Sequence, residues 1–142
     1  LQLNVRGTIA GAREAARHMH DGGVIVNLSS TNGSRGSTGV GGYVASKHGV
    51  EGVTKTLAHE LGATDIRELA VAPGLIDTGG VREQIDQMAE VGVDISDRLT
   101  DNVLGRAGRP DDIARVVLFA VSDLAGWVTG TTIAADAGRT AR

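Results

Sequence analysis

The amino-acid sequence predicts an α/β protein with a short parallel sheet of about three strands and helices packed against it. Two β-branched segments, 24–28 and 66–72, flank a segment, 41–61, whose apolar residues recur at helical spacing. A strand–helix–strand unit of this kind makes its two strands parallel neighbours. The 21 glycines, against one Trp, one Tyr and one Phe, favour tight strand–helix joints over a helical bundle. At 142 residues the chain is long enough for one domain with its own core.

The first predicted element is an amphipathic helix from residue 1 to about residue 20. Gly7 and Gly11 lie one turn apart and would permit close packing of another element. Asn4 is polar within this helix, and periodicity alone predicts that its amide is exposed at the surface. A helix that opens the chain without a cap indicates a piece of a longer protein. The apolar positions recur every three or four residues, at Val5, Ile9, Ala12, Ala16 and Met19.

The next elements form the strand–helix–strand unit. Glycines precede the strand at 24–28, which its length and β-branched residues predict to be buried. The helix at 41–61 is followed by Gly62, where we expect a left-handed C-cap. The strand at 66–72 ends at Pro73-Gly74. Ligands bind beyond the carboxyl ends of strands in an open α/β sheet, so this end and the loop at Ser30 predict the position of a site.

The remaining third of the chain contains two more helical patterns and a last strand. Segment 79–105 has a weak helical stripe, and two interpretations stay open: a surface helix, or a mobile lid with Gly79-Gly80 as hinge. Proline and two acids after Arg109 predict a helix start there. We expect that helix to bury Ile113, Val116, Val117, Ala120 and Val121. Residues 129–136 predict a third strand, with a turn at Ala137-Gly138.

Tyr43 and Lys47 are the strongest candidates for chemistry. They are four residues apart and therefore share one face of a helix. An ammonium beside a phenol favours the phenolate and lowers the phenol pKa from about 10 toward neutrality. Such a phenol can act as a general acid or base. Ser30 lies across a flexible loop and can donate a hydrogen bond to a substrate oxygen. A Tyr-x-x-x-Lys pair alone is more often an ordinary surface pair, and only its position beside two strand ends raises its significance.

Composition excludes several other functions. The net charge of −3 and the pI near 5.8 argue against nucleic acid as a partner. The chain has no cysteine, which fits a cytoplasmic protein, and its four histidines have no metal-binding spacing. No apolar run is long enough to span a membrane. A nucleophile-elbow serine and a phosphate-binding loop are both absent, and Ser30 has no base nearby that would make it a nucleophile.

With these residues assembled, the chain resembles the carboxyl-terminal part of a short-chain dehydrogenase/reductase over nearly all of its length. The resemblance implies a partial doubly wound, Rossmann-like sheet and a single catalytic portion spanning residues 1–142. The matching motifs are Asn4-Val5, Val26-Asn-Leu-Ser-Ser30, Tyr43-Val-Ala-Ser-Lys47, Pro73-Gly-Leu-Ile-Asp-Thr78, Gly105-Arg-Ala-Gly-Arg-Pro-Asp-Asp-Ile113, and Val128-Thr-Gly130 leading to Asp136.

The resemblance also implies an activity: interconversion of a secondary alcohol and a ketone, with NAD or NADP as the hydride carrier. In that activity, Tyr43 exchanges the proton, Ser30 polarises the substrate oxygen, and Lys47 also binds the nicotinamide ribose. Asn4 would hold a water linked to Lys47, in place of the surface role expected from periodicity. The residues that would border the nicotinamide are Pro73, Gly74, Ile76 and Thr78.

The chain departs from the family pattern in two respects. Glu68-Leu69 replaces a usual Val-Asn pair, and the dinucleotide-binding first half has no counterpart here. We therefore expect strand 24–28 to have an unpaired edge. Two alternatives to a dehydrogenase stay open: a non-catalytic remnant that acts through oligomer contacts, and an epimerase or lyase on the same fold. The relatives' helices imply a dimer or tetramer, with Gly7, Gly11, Gly49 and Gly52 suited to packing.

Overall fold

A computed structural model describes residues 2–141 and contains one three-stranded sheet. Its strands are β1 (Gly23–Leu28), β2 (Ile66–Pro73) and β3 (Thr132–Ala135), in the order β1-β2-β3. Both pairings are parallel. This confirms the predicted fold class, including the crossover from β1 to β2.

Four α-helices accompany the sheet: α1 (Gly7–His18), α2 (Gly41–Leu61), α3 (Gly79–Glu90) and α4 (Pro110–Val121). A π-helical turn, Gln2–Arg6, precedes α1. Short 3-10 turns follow β1 at Thr31–Gly33 and α3 at Ser96–Leu99. The helix predicted to start after Arg109 does so: Pro110 takes the first turn, and the Asp112 carboxylate accepts a hydrogen bond from the Arg109 backbone N–H.

The helices cover both faces of the sheet. Ala12 of α1, Ile25 of β1 and Ile66 of β2 form a buried cluster on one face. On the opposite face, the Arg67 guanidinium donates to the backbone carbonyls of Ala120 and Ser122 at the end of α4. Side chains of neighbouring strand residues alternate between faces, so α1 and α2 lie on one side of β2 and α4 on the other.

Strand β1 has one hydrogen-bonded neighbour, β2, in the part of the chain that the structure describes. Its other edge is open, as the sequence predicts, and Leu28 at the end of β1 is 56% exposed. The carboxyl ends of β1 and β2 lie side by side because Leu28 pairs with Val71. The loop that carries Ser30 therefore begins next to the segment that starts at Gly74.

Several local predictions are wrong. Gly62 is right-handed (φ −58°), because α2 continues into a 3-10 turn and Asp65 takes the left-handed position instead (φ 58°). Asn4 is half-buried, since a partner 42 residues away binds its amide. Val121 is 44% exposed at the end of α4. The last strand begins at Thr132, because Gly130 has a positive φ (66°).

Candidate active site

A cleft of about 510 Å³ lies beyond the carboxyl ends of β1 and β2. It brings together five of the predicted site residues, although they come from three separate segments. The α3 helix and the segment after it also line the cleft, through Val81, Ile85 and Ile95. The two interpretations of this segment, a surface helix or a mobile lid, both stay predictions. The site residues that line the cleft are Ser30, Tyr43, Gly74, Ile76 and Thr78.

Ser30 is oriented by its own loop. Its backbone is extended (φ −165°, ψ 160°), and its hydroxyl oxygen accepts a hydrogen bond from the Asn32 N–H at 3.2 Å. Its carbonyl accepts the Gly33 N–H at 2.7 Å. A serine hydroxyl has one proton and two lone pairs, so the capping bond leaves the proton for another acceptor. The hydroxyl can therefore donate to a substrate oxygen in the cleft.

The Ser30 loop is fastened to α2 by a buried polar pair. The Ser29 hydroxyl donates to the Glu51 carboxylate at 3.0 Å, and both residues are buried. Gly33 passes so close to them that a Cβ atom there would collide with the Glu51 carboxylate and the Ser29 hydroxyl. The sequence pattern does not identify Glu51 as a support, because its partners lie on a different element.

Tyr43 and Lys47 lie together in the first turns of α2. Tyr43 is 43% exposed toward the cleft, and the Lys47 ammonium is 5.7 Å from the centroid of the Tyr43 ring. The ammonium donates a hydrogen bond to the Leu28 carbonyl at 2.7 Å. This bond ties α2 to the carboxyl end of β1. Partial burial lowers the pKa of Lys47, because desolvation disfavours its charged form.

Asn4 is linked to the Tyr43 backbone by hydrogen bonds through Ser46. Its side-chain amide donates to the Ser46 hydroxyl at 2.9 Å, and that hydroxyl donates to the Tyr43 carbonyl at 2.7 Å. Asn4 and Lys47 also line one groove beside β1. The first of these bonds fastens the Gln2–Arg6 turn to the start of α2, and the second lies within α2. The water-binding role that the resemblance implies for Asn4 stays a prediction.

The nicotinamide-side candidates occupy the segment after β2. The Gly74 N–H donates to the Ala135 carbonyl, and Ile76 forms an isolated parallel bridge with Gly108. The Thr78 hydroxyl caps α3 by accepting the Val81 N–H at 3.3 Å. Pro73 ends β2 and does not line the cleft. The structure therefore brings three of these four residues to the cleft surface.

Among the cleft-lining residues that the sequence did not predict are three arginines: Arg35, Arg98 and Arg139. They come from the loop after Ser30, the turn after α3 and the turn after β3. Nothing in the spacing of three arginines so far apart in the sequence signals that they meet. Within residues 2–141, no group of three or more His, Asp or Glu side chains is suited to a metal ion. None of the helices in that range is long and apolar enough to cross a membrane.

Two curated proteins similar to the chain are reductases of about twice its length. It is 42% identical over 118 residues to the acetoacetyl-CoA reductase of Shinella zoogloeoides, covering 82% of this chain and 46% of that protein. It is 38% identical over 140 residues to the 3-oxoacyl-(acyl-carrier-protein) reductase FabG of Thermotoga maritima, covering 97% of this chain and 54% of that one. The chain thus spans about half the length of the curated relatives that it matches.

Solved structures and a family model agree with this similarity. The chain superposes with a TM-score of 0.86 on a short-chain type dehydrogenase/reductase from Mycobacterium ulcerans, at 37% identity, covering 99% of this chain and 50% of that one. A 4-hydroxyisoleucine dehydrogenase complexed with NADH and succinate gives 0.81 at 31% identity, covering 98% and 56%. ElxO with NADP bound gives 0.86 at 29% identity, covering 98% and 56%.

The family model matches residues 1–140 and is described as enoyl-(acyl carrier protein) reductase. The match extends over nearly the whole chain and agrees with the curated relatives and the solved folds. The chain therefore belongs to the short-chain dehydrogenase/reductase family.

Proposed function

We propose that this chain carries the proton-handling part of an NAD(P)-dependent oxidoreductase that interconverts a secondary alcohol and a ketone. The observation that carries the proposal is the shared cleft of Ser30 and Tyr43, with the Lys47 ammonium 5.7 Å from the phenol ring. A hydroxyl donor and a proton-transferring phenol in one cleft are suited to polarise and protonate the oxygen of a carbonyl group whose carbon accepts a hydride. The relatives named above, two reductases and two dehydrogenases, support this reaction class.

Ser30, Tyr43 and Lys47 have different tasks in the proton transfer. In the reducing direction, the Ser30 hydroxyl donates to the carbonyl oxygen and draws electron density away from the carbon. Tyr43 transfers its phenolic proton to that oxygen. The Lys47 cation stabilises the negative charge that develops on the phenol oxygen. In the oxidising direction, the phenolate takes the proton back.

The residues present fit a nicotinamide cofactor, which would supply the hydride at the carbonyl carbon. A lysine ammonium has three N–H donors, and Lys47 uses one of them on the Leu28 carbonyl. The other donors can bind the ribose hydroxyls. Ile76 offers an apolar wall, and the Thr78 hydroxyl offers a polar group to the carboxamide. The relatives with bound NADH or NADP support either cofactor.

The test is turnover of a panel of small ketones and secondary alcohols with NADH and NADPH, using wild type and Ser30→Ala. We expect Ser30→Ala to lower kcat by about 100-fold, since one hydrogen-bond donor to a developing oxyanion contributes about that factor. The change should appear in kcat more than in cofactor affinity. Equal rates for the two proteins would contradict the role of Ser30. No turnover of any panel member would contradict the proposed function.

Exposed apolar side chains favour a second candidate function, that of a non-catalytic domain that acts through oligomer contacts. Trp127 is fully exposed, and Leu124 is 83% exposed beside it in the sequence. Titration with NADH and NADPH separates the two functions, because a non-catalytic remnant needs no cofactor. Micromolar binding would overturn the non-catalytic candidate.

A further inference from the structure

The candidate active site contains a set of cations that the redox proposal does not use. Arg35, Arg98 and Arg139 line the same cleft as Ser30 and Tyr43, and no aspartate or glutamate is among the described residues that line it. The whole chain carries a net charge of −3, so an overall excess of basic residues does not account for this concentration. The positive potential is therefore local to the cleft, where it attracts anions.

Arg139 is already engaged within the protein. One of its guanidinium nitrogens donates to the Arg98 carbonyl at 2.7 Å, and another lies 3.3 Å from the Asp101 carboxylate. Its side chain is 18% exposed. Arg139 therefore holds the turn that carries Arg98 against the end of the sheet. Its charge is partly compensated, and we assign it the role of positioning Arg98.

The guanidinium groups of Arg35 and Arg98 are exposed, and no hydrogen bond or ion pair engages either of them within residues 2–141. The nearby Asp136 carboxylate interacts electrostatically with Arg35 but makes no hydrogen bond to its guanidinium group. Its oxygens accept from the Gly138 N–H and from the backbone and hydroxyl of Thr140, at 2.7–3.0 Å. Five N–H donors on each guanidinium thus remain for a ligand.

The rest of the cleft suits a carbon chain. Its lining includes several aliphatic side chains from four separate segments, and about 510 Å³ accommodates a molecule of several carbons in addition to the reacting group. Guanidinium groups bind carboxylates and phosphates in a bidentate manner with charge-assisted hydrogen bonds. The aliphatic residues are Val40, Leu75, Ile76, Val81, Ile85 and Ile95.

We propose that the substrate is an anionic carbonyl or hydroxy compound, with its reacting oxygen at Ser30 and Tyr43 and its carboxylate or phosphate at Arg35 and Arg98. This proposal rests on the redox function proposed above. The two arginines select the substrate and take no part in the proton transfer. Loss of the two arginines should therefore weaken substrate binding and leave the proton transfer unchanged.

The first experiment measures anion binding without turnover. Succinate and inorganic phosphate are each titrated calorimetrically into the full chain, into the Arg35→Gln/Arg98→Gln double variant, and into Arg13→Gln. Arg13 is an exposed arginine of α1 that does not line the cleft, so it is the matched control. We expect the double variant to bind at least about tenfold more weakly and the control to bind as wild type does, within about twofold.

The two probes also distinguish the two anionic groups, because the tighter one identifies the group that the arginines receive. Absence of saturable binding of both probes to wild type would overturn the proposal. Equal affinity of wild type and the double variant would also overturn it.

The second experiment compares acetoacetate with its uncharged methyl ester as ketone substrates. We expect wild type to prefer acetoacetate by about tenfold or more in kcat/KM, and the double variant to lose that preference through KM. On the uncharged ester, which has no group for the two arginines, kcat/KM of the double variant should lie within about twofold of the wild-type value. Equal rates on acid and ester in both proteins would overturn the anion site and leave the redox function standing.

Two further outcomes distinguish failure of the anion site from failure of the proposed redox function. If neither ketone turns over but anion binding depends on Arg35 and Arg98, the redox function fails while the anion site stands. If the double variant weakens NADH or NADPH binding and leaves the KM for acetoacetate unchanged, the arginines serve the cofactor, and the substrate proposal is overturned.

Discussion

Ser30 uses one lone pair of its hydroxyl oxygen to accept the Asn32 N–H, and the hydroxyl proton remains available as a donor. The Lys47 ammonium likewise donates one hydrogen bond to the Leu28 carbonyl, and it lies 5.7 Å from the centroid of the Tyr43 ring. Each of these side chains is thus anchored by one hydrogen bond and keeps further hydrogen-bonding capacity, Ser30 at the cleft and Lys47 at the groove beside β1. Such anchoring reduces the reorganisation that a reaction would need.

Glu68 is only half-satisfied within the sheet. It is fully buried in β2, and one of its oxygens accepts the Asn27 amide at 2.7 Å, while Asn27 also donates to Thr54. The other oxygen has no partner within the described residues. Burial raises the pKa of Glu68, and the nearby charge of Glu60 adds to this, although the Asn27 hydrogen bond opposes it. Glu68 therefore supplies a hydrogen-bond partner for Asn27, but burial of its carboxylate charge destabilises the folded state.

This raised pKa predicts a pH-dependent stability. The unfolded chain releases the Glu68 proton at a lower pH than the folded chain does. Its contribution is therefore fully present below about pH 4.3 and is lost as pH rises through the folded pKa. Glu68→Gln removes the buried charge, so we expect its free energy of unfolding to exceed that of wild type by roughly 1–3 kcal/mol at pH 8. Urea unfolding at pH 5 and pH 8 measures the difference, which should shrink at pH 5.

Glu90→Gln is the control, because Glu90 is exposed at the end of α3. It should change stability by less than about 0.5 kcal/mol at either pH. A Glu68→Gln protein that is less stable than wild type at pH 8 would show that the folded state depends on the carboxylate.

The loop between β1 and α2 is the element on which the site depends most. Its start is held by Ser29 on Glu51, its 3-10 turn is capped by Ser30, and Gly33 fills the space beside both. A change at Gly33 would displace the Ser30 hydroxyl without touching a substrate. The loop is therefore a positioning element whose sequence is constrained by packing against α2.

We expect Gly33→Ala to lower kcat/KM by about 100-fold. The added Cβ atom must displace the loop or the Glu51 side chain, and a displacement of about 1 Å is enough to cost that factor. Gly36→Ala is the matched control, since Gly36 lies in the same loop and has no atom within 4 Å of the position that an added Cβ would take. Steady-state kinetics of both variants make the comparison. Similar losses in the two would mean that general loop flexibility, and not the Ser29–Glu51 contact, sets the rate.

The elements were predictable where a local pattern defines them. Apolar spacing identified α2, and the β-branched runs identified β1 and β2 to within one residue at each end. Features that depend on distant partners were not predictable. The Asn4 amide is drawn inward by Ser46, and the cationic set of the cleft forms from separate segments only once the chain has folded. The end of α2 at Leu61 was predicted correctly, but Gly62 is not the left-handed residue, because a 3-10 turn moves that conformation to Asp65.

At the scale of the whole molecule, the open edge of β1 and the exposed apolar residues after α4 leave unpartnered surface. Exposed apolar surface of this kind is typical of association sites. The Gly7, Gly11 and Gly52 positions have no atom within 4 Å of an added Cβ, so close packing at these glycines is not used within the described chain. Gly49 does receive a close neighbour, Val5.

We expect the chain to self-associate through the segment after α4. The Leu124→Ser/Trp127→Ser double variant should weaken self-association by at least about tenfold, because buried aromatic and aliphatic anchors dominate such contacts. Sedimentation equilibrium measures the change. Val91→Ser is the control, since Val91 is also highly exposed but follows α3. A monomeric wild type at about 100 μM, or equal association of all three proteins, would contradict the prediction.

The central claim is that Tyr43 handles the proton in a redox reaction, and the ratio of kcat between wild type and Tyr43→Phe tests it most directly. Phenylalanine keeps the ring and removes the proton, so the fold, checked by circular dichroism, should be unchanged. Because a positioned general acid contributes about 10²–10⁴-fold, we expect kcat to fall by at least about 100-fold. A folded Tyr43→Phe protein with a kcat within about threefold of wild type would contradict the account.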